Sequence, residues 1–285
     1  MNKITKLGVS ALCGSLAAIS SAHAGELTVT GGVDMSWITK QDATTGNPIG
    51  MGSNLTFAGS GELDNGWNVA LSVAMDNQDA YSNTNVTVTV PALGNIQVSQ
   101  GVSGTGIDRI DDVTPNVWEE AYAVGVGSGI DTVGGVSGGG NIEYTPNMTP
   151  DGLVARIAYS PSAGNSAAND KASTVSTSQK KAGYDITVAA TEELHGVAGL
   201  TLNAGYSEIE NDTGAATFSG DHEETTLALT YAMGGFTVGY QWSETDTGKS
   251  SGEKEYTNDG YGITFNVNDD LSIGYNHYES AQSAS

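Results

Sequence analysis

The stretch Phe236-Thr237-Val238-Gly239-Tyr240-Gln241-Trp242 alternates large apolar side chains with small or polar ones. A β-strand points successive side chains to opposite faces, so this segment has one apolar face and one polar face. We find the same period of two in thirteen short segments along the chain, and no stretch with the 3.6-residue spacing of a long helix. The sequence therefore predicts an all-β protein.

The thirteen predicted strands are separated by turn and loop residues. Their predicted bounds are Glu26–Ile38, Ser53–Leu63, Trp67–Met75, Asn85–Val90, Asn95–Gln100, Asn141–Thr145, Leu153–Ser160, Ala182–Ala190, Leu200–Ile209, Thr225–Ala232, Phe236–Trp242, Tyr261–Val267 and Leu271–Tyr278. Connections after odd-numbered strands are mostly long, and those after even-numbered strands are short to moderate. Outer-membrane barrels show this asymmetry. It favours a transmembrane antiparallel up-and-down β-barrel.

The two faces of the predicted strands support a membrane location. The polar face carries small neutral side chains, whereas a soluble sheet usually presents Lys and Glu to water. Aromatic side chains recur near strand ends of the apolar face, as in interfacial girdles: Trp37, Trp67, Tyr159, Tyr206, Tyr231, Trp242, Tyr261 and Tyr275. The alternative is a secreted or surface-displayed β-rich binding protein, such as an adhesin, whose apolar rows face a dry core.

The N-terminus predicts export. Lys3 and Lys6 precede an apolar stretch, Leu7–Ile19, and Ala22-His23-Ala24 is a small-x-small cleavage site. We expect a signal peptide over residues 1–24, cleavage between Ala24 and Gly25, and a single barrel domain over residues 25–285. The only cysteine, Cys13, lies in the signal, so the mature chain has no thiol and no disulfide.

The charge balance limits the partners. Without Lys3 and Lys6 the chain keeps 8 basic residues (10 − 2) against 33 acidic ones, a net charge near −25. This excess argues against nucleic acid, whose phosphates need Lys and Arg, and against docking on an anionic membrane surface. It fits an acidic exterior or an acidic water-filled passage that attracts cations.

No pattern of catalytic residues accompanies these strands. The histidines of the mature chain have no metal-ligand spacing, and there is no G-x-S-x-G elbow and no P-loop. The sequence predicts no enzyme activity and no catalytic cofactor.

Four segments resemble Gram-negative general porins of the type found in alphaproteobacteria. They are Glu26-Leu27-Thr28-Val29-Thr30-Gly31, the hairpin Phe57-x-Gly59-x-Gly61-Glu62-Leu63-Asp64-Asn65-Gly66-Trp67, Gly94-Asn95-Ile96-Gln97-Val98, and Asn141-Ile142-Glu143-Tyr144-Thr145-Pro146 followed by Gly152-Leu153. The resemblance covers the chain from Gly25 onward. It implies a 16-stranded barrel that assembles as a homotrimer, with a third loop that folds inward and narrows the pore. Since thirteen is an odd number of strands, we expect this sequence to lack C-terminal strands.

The resemblance places the third loop at Gly101–Gly140 and implies that its charged residues form the pore constriction. These residues are Asp108, Arg109, Asp111, Asp112, Glu119, Glu120 and Asp131. Enteric general porins set a basic cluster opposite such acids, but here no Lys or Arg lies between Lys40 and Arg109. Arg156 is the one basic residue expected on the pore wall. Asp108, Asp111 and Asp112 are also candidates for a bound Ca²⁺, although they lack the spacing of a calcium loop.

These observations together predict a porin embedded in outer-membrane lipid. We expect a water-filled channel for passive diffusion of small hydrophilic solutes and ions, with a preference for cations because acidic groups line its narrowest part.

Overall fold

The computed structural model describes residues 26–37, 49–77, 82–101, 104–117, 132–163, 180–214 and 217–284. Thirteen strands fill most of these ranges, and all thirteen predicted strands are confirmed. Their bounds are β1 Glu26–Trp37, β2 Ile49–Glu62, β3 Asn68–Asp76, β4 Asn83–Val90, β5 Gly94–Gly101, β6 Asn141–Pro146, β7 Leu153–Ser160, β8 Lys180–Ala190, β9 Leu200–Asn211, β10 His222–Met233, β11 Phe236–Asp246, β12 Glu253–Asn268 and β13 Leu271–Ala284.

Helical structure is limited to two short turns in the described ranges. A 3₁₀ helix covers Gly106–Ile110, and one α-helical turn, α1, covers Glu192–His195 between β8 and β9. No helix of the described residues has the length and apolar character to span a bilayer.

Each strand pairs antiparallel with its neighbours in the chain, so the sheet runs in order from β1 to β13. This is the predicted up-and-down topology. β1 and β13 form the two ends of the sheet, and no ladder joins them within the described strands. The total of sixteen strands stays a prediction.

The two faces of the sheet differ in polarity in the opposite sense to a soluble protein, in which polar side chains lie mostly at the surface. Leu229 of β10 lies opposite Tyr240 of β11, and both are exposed, as are Leu202 and Val238 beside them. On the opposite face the polar side chain of Gln241 is 3% exposed. Apolar side chains at the surface and polar side chains inside fit a sheet that faces lipid on one side and encloses polar groups on the other.

Aromatic and acidic side chains bound the apolar belt on the outward face. The hydroxyls of Tyr184 and Tyr206 donate to the carboxylate of Glu208, at 2.9 and 3.0 Å, near the long loops. At the short-turn end the rings of Phe236 and Phe265 stack with centroids 4.3 Å apart. At the long-loop end the tyrosine hydroxyls thus point to polar groups, as expected of side chains at the edge of an apolar belt.

Candidate pore constriction

The described residues of the connection between β5 and β6 lie against the inward face of the sheet. The structure describes two parts of this connection, residues 104–117 and 132–140, which we call loop 3. Ile107, Ile110, Val133 and Val136 of loop 3 are at most 4% exposed. The inward fold that the family resemblance implies is therefore confirmed for these residues.

Three carboxylates on alternate strands accept the backbone N–H groups of loop 3. Glu143 of β6 accepts from Gly106 at 2.7 Å. Asp185 of β8 accepts from Ile107 and Val136, both at 3.1 Å. Buried N–H groups need acceptors, and an ionised carboxylate offers several lone pairs. These three side chains, Glu143, Asp185 and Glu224, therefore act as anchors for the loop, and we call them the carboxylate anchors.

Glu224 of β10 completes the set. Its Oε2 accepts from the N–H groups of Gly134 and Gly135, at 3.0 and 2.7 Å, and its Oε1 lies 2.8 Å from Nε2 of His222. Both side chains are less than 10% exposed. The imidazole thus positions the carboxylate that holds the second part of loop 3.

Further hydrogen bonds join the loop to later strands. Gln241 of β11 donates through Nε2 to the carbonyl oxygens of Ile110 and Asp111, at 2.7 and 3.0 Å. The hydroxyl of Tyr278 of β13 donates to Thr114 Oγ1 at 2.6 Å. Loop 3 is therefore attached across the wall from β6 to β13.

Glycines on the inward face of the wall give the loop room. A Cβ added at Gly205 of β9 would lie 2.7 Å from Ile107 Cγ1, closer than Cβ atoms come to other heavy atoms. A Cβ at Gly239 of β11 would overlap the ring of Pro115. The glycine-rich composition thus has a packing role here, because backbone-only positions let the loop approach the sheet closely.

The predicted constriction residues have different environments. Asp108 accepts a hydrogen bond from the Ser137 hydroxyl at 2.8 Å, and burial raises the pKa of its carboxyl above the usual value of 3.8. Arg109 makes an ion pair with Glu143 through Nη2 and Oε1 at 2.7 Å. Asp111 is half-buried, whereas Asp112 is exposed. The charged side chains of loop 3 therefore differ in their exposure and in whether they are paired with another side chain.

The remaining site predictions fall in two groups. Arg156 lies on the inward face of β7, since it alternates with the outward residues Ala155 and Ile157. Glu119, Glu120 and Asp131 lie outside the described residues, and so do Ala24 and Gly25 of the predicted cleavage site.

The candidate calcium ligands do not form a cluster. Within the described ranges no group of three or more His, Cys, Asp or Glu side chains is arranged to hold a metal ion. Asp108 points instead to the Ser137 hydroxyl.

The carboxylate anchors were not among the residues predicted from the sequence. A usable indication was present, because Glu143, Asp185 and Glu224 are single acids at inward positions of otherwise neutral polar faces. A carboxylate in such a row needs donors, and a glycine-rich loop with many free N–H groups supplies them.

Comparisons with known proteins agree with this architecture. The sequence profile of the Gram-negative porin family matches residues 8–285. The structure of Salmonella typhi OmpF in complex with daunomycin aligns with a TM-score of 0.60 and 15% identity, over 90% of this chain and 79% of that one. A porin refined at 1.8 Å resolution aligns with a TM-score of 0.52 and 15% identity, over 90% and 94%. No curated protein sequence matches the chain significantly.

Proposed function

Because the chain belongs to the Gram-negative porin family, whose members are passive channels of the outer membrane, we propose that this channel carries small hydrophilic solutes and prefers cations. The preference rests on the charge of loop 3. Asp108, Asp111 and Asp112 are its acids in the described part, and Arg109 is its one base. A cleft with one sign of charge and low-dielectric walls concentrates counter-ions of the other sign.

The observation that carries the proposal is the contrast between Arg109 and Asp112. The guanidinium of Arg109 is occupied by Glu143, through Nη2 at 2.7 Å and Nε at 3.1 and 3.2 Å. Asp112 is exposed. The positive charge of loop 3 is thus compensated by the wall, whereas a negative charge stays open to water and to passing ions.

The test is the reversal potential of the full-length protein in a planar bilayer across a KCl gradient. We expect cation preference in the wild-type protein and a clear decrease in the Asp112→Asn variant. The Asp108→Asn variant should change the potential less, since that carboxylate is half-buried against Ser137.

The matched control is Glu193→Gln in α1, outside loop 3. A hydrogen bond from the Thr191 hydroxyl lowers the pKa of Glu193, so the control also removes an ionised carboxylate. An equal decrease in the Asp112→Asn and Glu193→Gln variants would contradict a local role for loop 3. An unchanged potential in the Asp112→Asn variant would do the same.

Three further properties belong to the proposal. We propose that residues 1–24 form a cleaved signal peptide, that residues 25–285 form the barrel domain, and that the protein assembles as a homotrimer. The trimer rests on the resemblance to general porins. N-terminal sequencing of the exported protein tests the cleavage site after Ala24, and electrophoresis without heating tests the trimer.

The alternative of a secreted adhesin is not favoured. That reading requires Leu202, Leu229 and Val238 to pack in a dry core, but these side chains are 38 to 40% exposed on a single-layered sheet.

A further inference from the structure

A recess of about 260 Å³ lies between loop 3 and the inward face of the wall. It is lined by Arg109 and Ile110 of loop 3, by Arg156 of β7, by Thr187 of β8 and by Asn203 of β9. The volume is below that of sites for drug-sized ligands, so it suits a group of a few heavy atoms.

The charge of the recess is positive although the loop is acidic. Arg109 is paired with Glu143. Arg156 lies within electrostatic reach of both, but within the described residues its guanidinium makes no hydrogen bond and no ion pair. Two guanidinium groups and one carboxylate leave one positive charge. Asp185, two residues from Thr187, does not line the recess, and its carboxylate accepts the N–H groups of Ile107 and Val136.

A second observation at the same place indicates a missing partner. Thr187 is 1% exposed, and its Oγ1 has no hydrogen-bond partner among the described residues. A buried hydroxyl without a partner costs about 1–3 kcal/mol. Because Thr187 lines the recess, an acceptor placed there would satisfy its hydroxyl.

From this geometry we propose that the recess binds an oxyanion group, a carboxylate or a phosphate, of a small solute in transit. Arg156 supplies the uncompensated charge and a planar pair of donors, which match the two oxygens of such a group. The hydroxyl of Thr187 and the side-chain amide of Asn203 supply neutral donors. Arg109 keeps N–H donors besides those that Glu143 accepts.

The consequence is a channel with two kinds of charged surface. Cations are concentrated by Asp112, whereas solutes with an anionic group have a stopping point beside Arg156. The inference rests on the proposed channel but not on its ion preference, because an oxyanion site can exist whatever the reversal potential is.

The experiment is calorimetric titration of the purified detergent-solubilised protein with inorganic phosphate and, separately, with acetate, at constant chloride. We expect saturable binding of at least one of the two. Phosphate binding alone would assign phosphorylated solutes, and acetate binding alone would assign carboxylates. The Arg156→Gln variant should bind about tenfold more weakly or worse, which corresponds to about 1.4 kcal/mol.

Two further variants separate a binding role from a structural one. Thr187→Val keeps the shape and removes the hydroxyl, so it should weaken binding a few-fold without loss of folding. Lys254→Gln removes a positive charge near the loop after β11 and should leave binding unchanged. The proposal is wrong if neither anion binds, if Lys254→Gln weakens binding as much as Arg156→Gln, or if Arg156→Gln binds like the wild-type protein.

Discussion

Two parts of the sheet share a polar inward face but differ in what covers it. In β2 and β3 the inward side chains of Asn54, Ser60 and Asn68 are exposed. In β10 and β11 the inward side chains of Thr226 and Gln241 are at most 3% exposed. We call β1–β3 the open wall and β6–β13 the anchored wall, since loop 3 is bonded to the second.

The difference shows how a channel can bury polar side chains without a dry core. On the open wall polar groups such as the exposed Asp76 carboxylate can be hydrated, so they need no partner from a loop. On the anchored wall the loop replaces water, and its N–H groups need acceptors that water no longer provides. Carboxylates meet this need because one oxygen can accept two donors, as Oδ2 of Asp185 does.

The largest effect is expected from the removal of one of the carboxylate anchors. The Asp185→Ala variant leaves the N–H groups of Ile107 and Val136 without an acceptor, at about 1–3 kcal/mol each. Loop 3 should leave the wall for part of the time. Single-channel recordings should then show larger and noisier conductance.

The matched variant on the open wall is Asp76→Ala at the end of β3, where the side chain is exposed. Its conductance should stay close to that of the wild-type protein. Equal changes in the two variants would show that the two walls do not differ in the way we describe.

A smaller effect is expected from one added methyl group. In the Gly239→Ala variant the Cβ meets the ring of Pro115, and overpacking of this kind costs about 1–3 kcal/mol. The urea midpoint of unfolding in detergent micelles should fall. In the Gly52→Ala variant the new Cβ meets the end of the Asp34 side chain and no backbone or ring atom, so the midpoint should fall much less.

The ranking of these two variants is the informative result. If Gly52→Ala lowers the midpoint as much as Gly239→Ala, the close approach of loop 3 to β11 is not what the glycine accommodates.

The contrast between the lipid-facing rows and the inward contacts of loop 3 explains which features the sequence could predict. Strand existence followed from alternation, which the bilayer imposes wherever one face meets lipid. The N-terminal end of β12 could not be predicted from alternation. The predicted strand begins at Tyr261, whereas the strand in the structure begins at Glu253. Residues 253–260 are polar on both faces because they extend beyond the apolar belt, so they carry no alternation to detect.

The anchors were harder to predict because their partners are distant in the chain. Gly106 and Glu143 are 37 residues apart, Ile107 and Asp185 are 78 apart, and Gly134 and Glu224 are 90 apart. Only the register of the sheet brings them together. The acidity of loop 3 was visible in the sequence, but it could not show that Asp108 is turned toward Ser137 while Asp112 is exposed.

The smallest effect is expected from the pH dependence of stability. Burial raises the pKa of Asp108 in the folded protein above its usual value of 3.8, so the folded state holds this proton to a higher pH than the unfolded state does. The contribution of this group to the free energy of unfolding therefore falls as the pH rises from 3.8 through the raised pKa, and it is constant above that window.

The Asp108→Asn variant cannot titrate there. Urea unfolding at a series of pH values should show the variant gaining stability relative to the wild-type protein across the window, with a constant difference above it. Parallel curves for the two proteins at every pH would contradict the burial of Asp108 against the anchored wall.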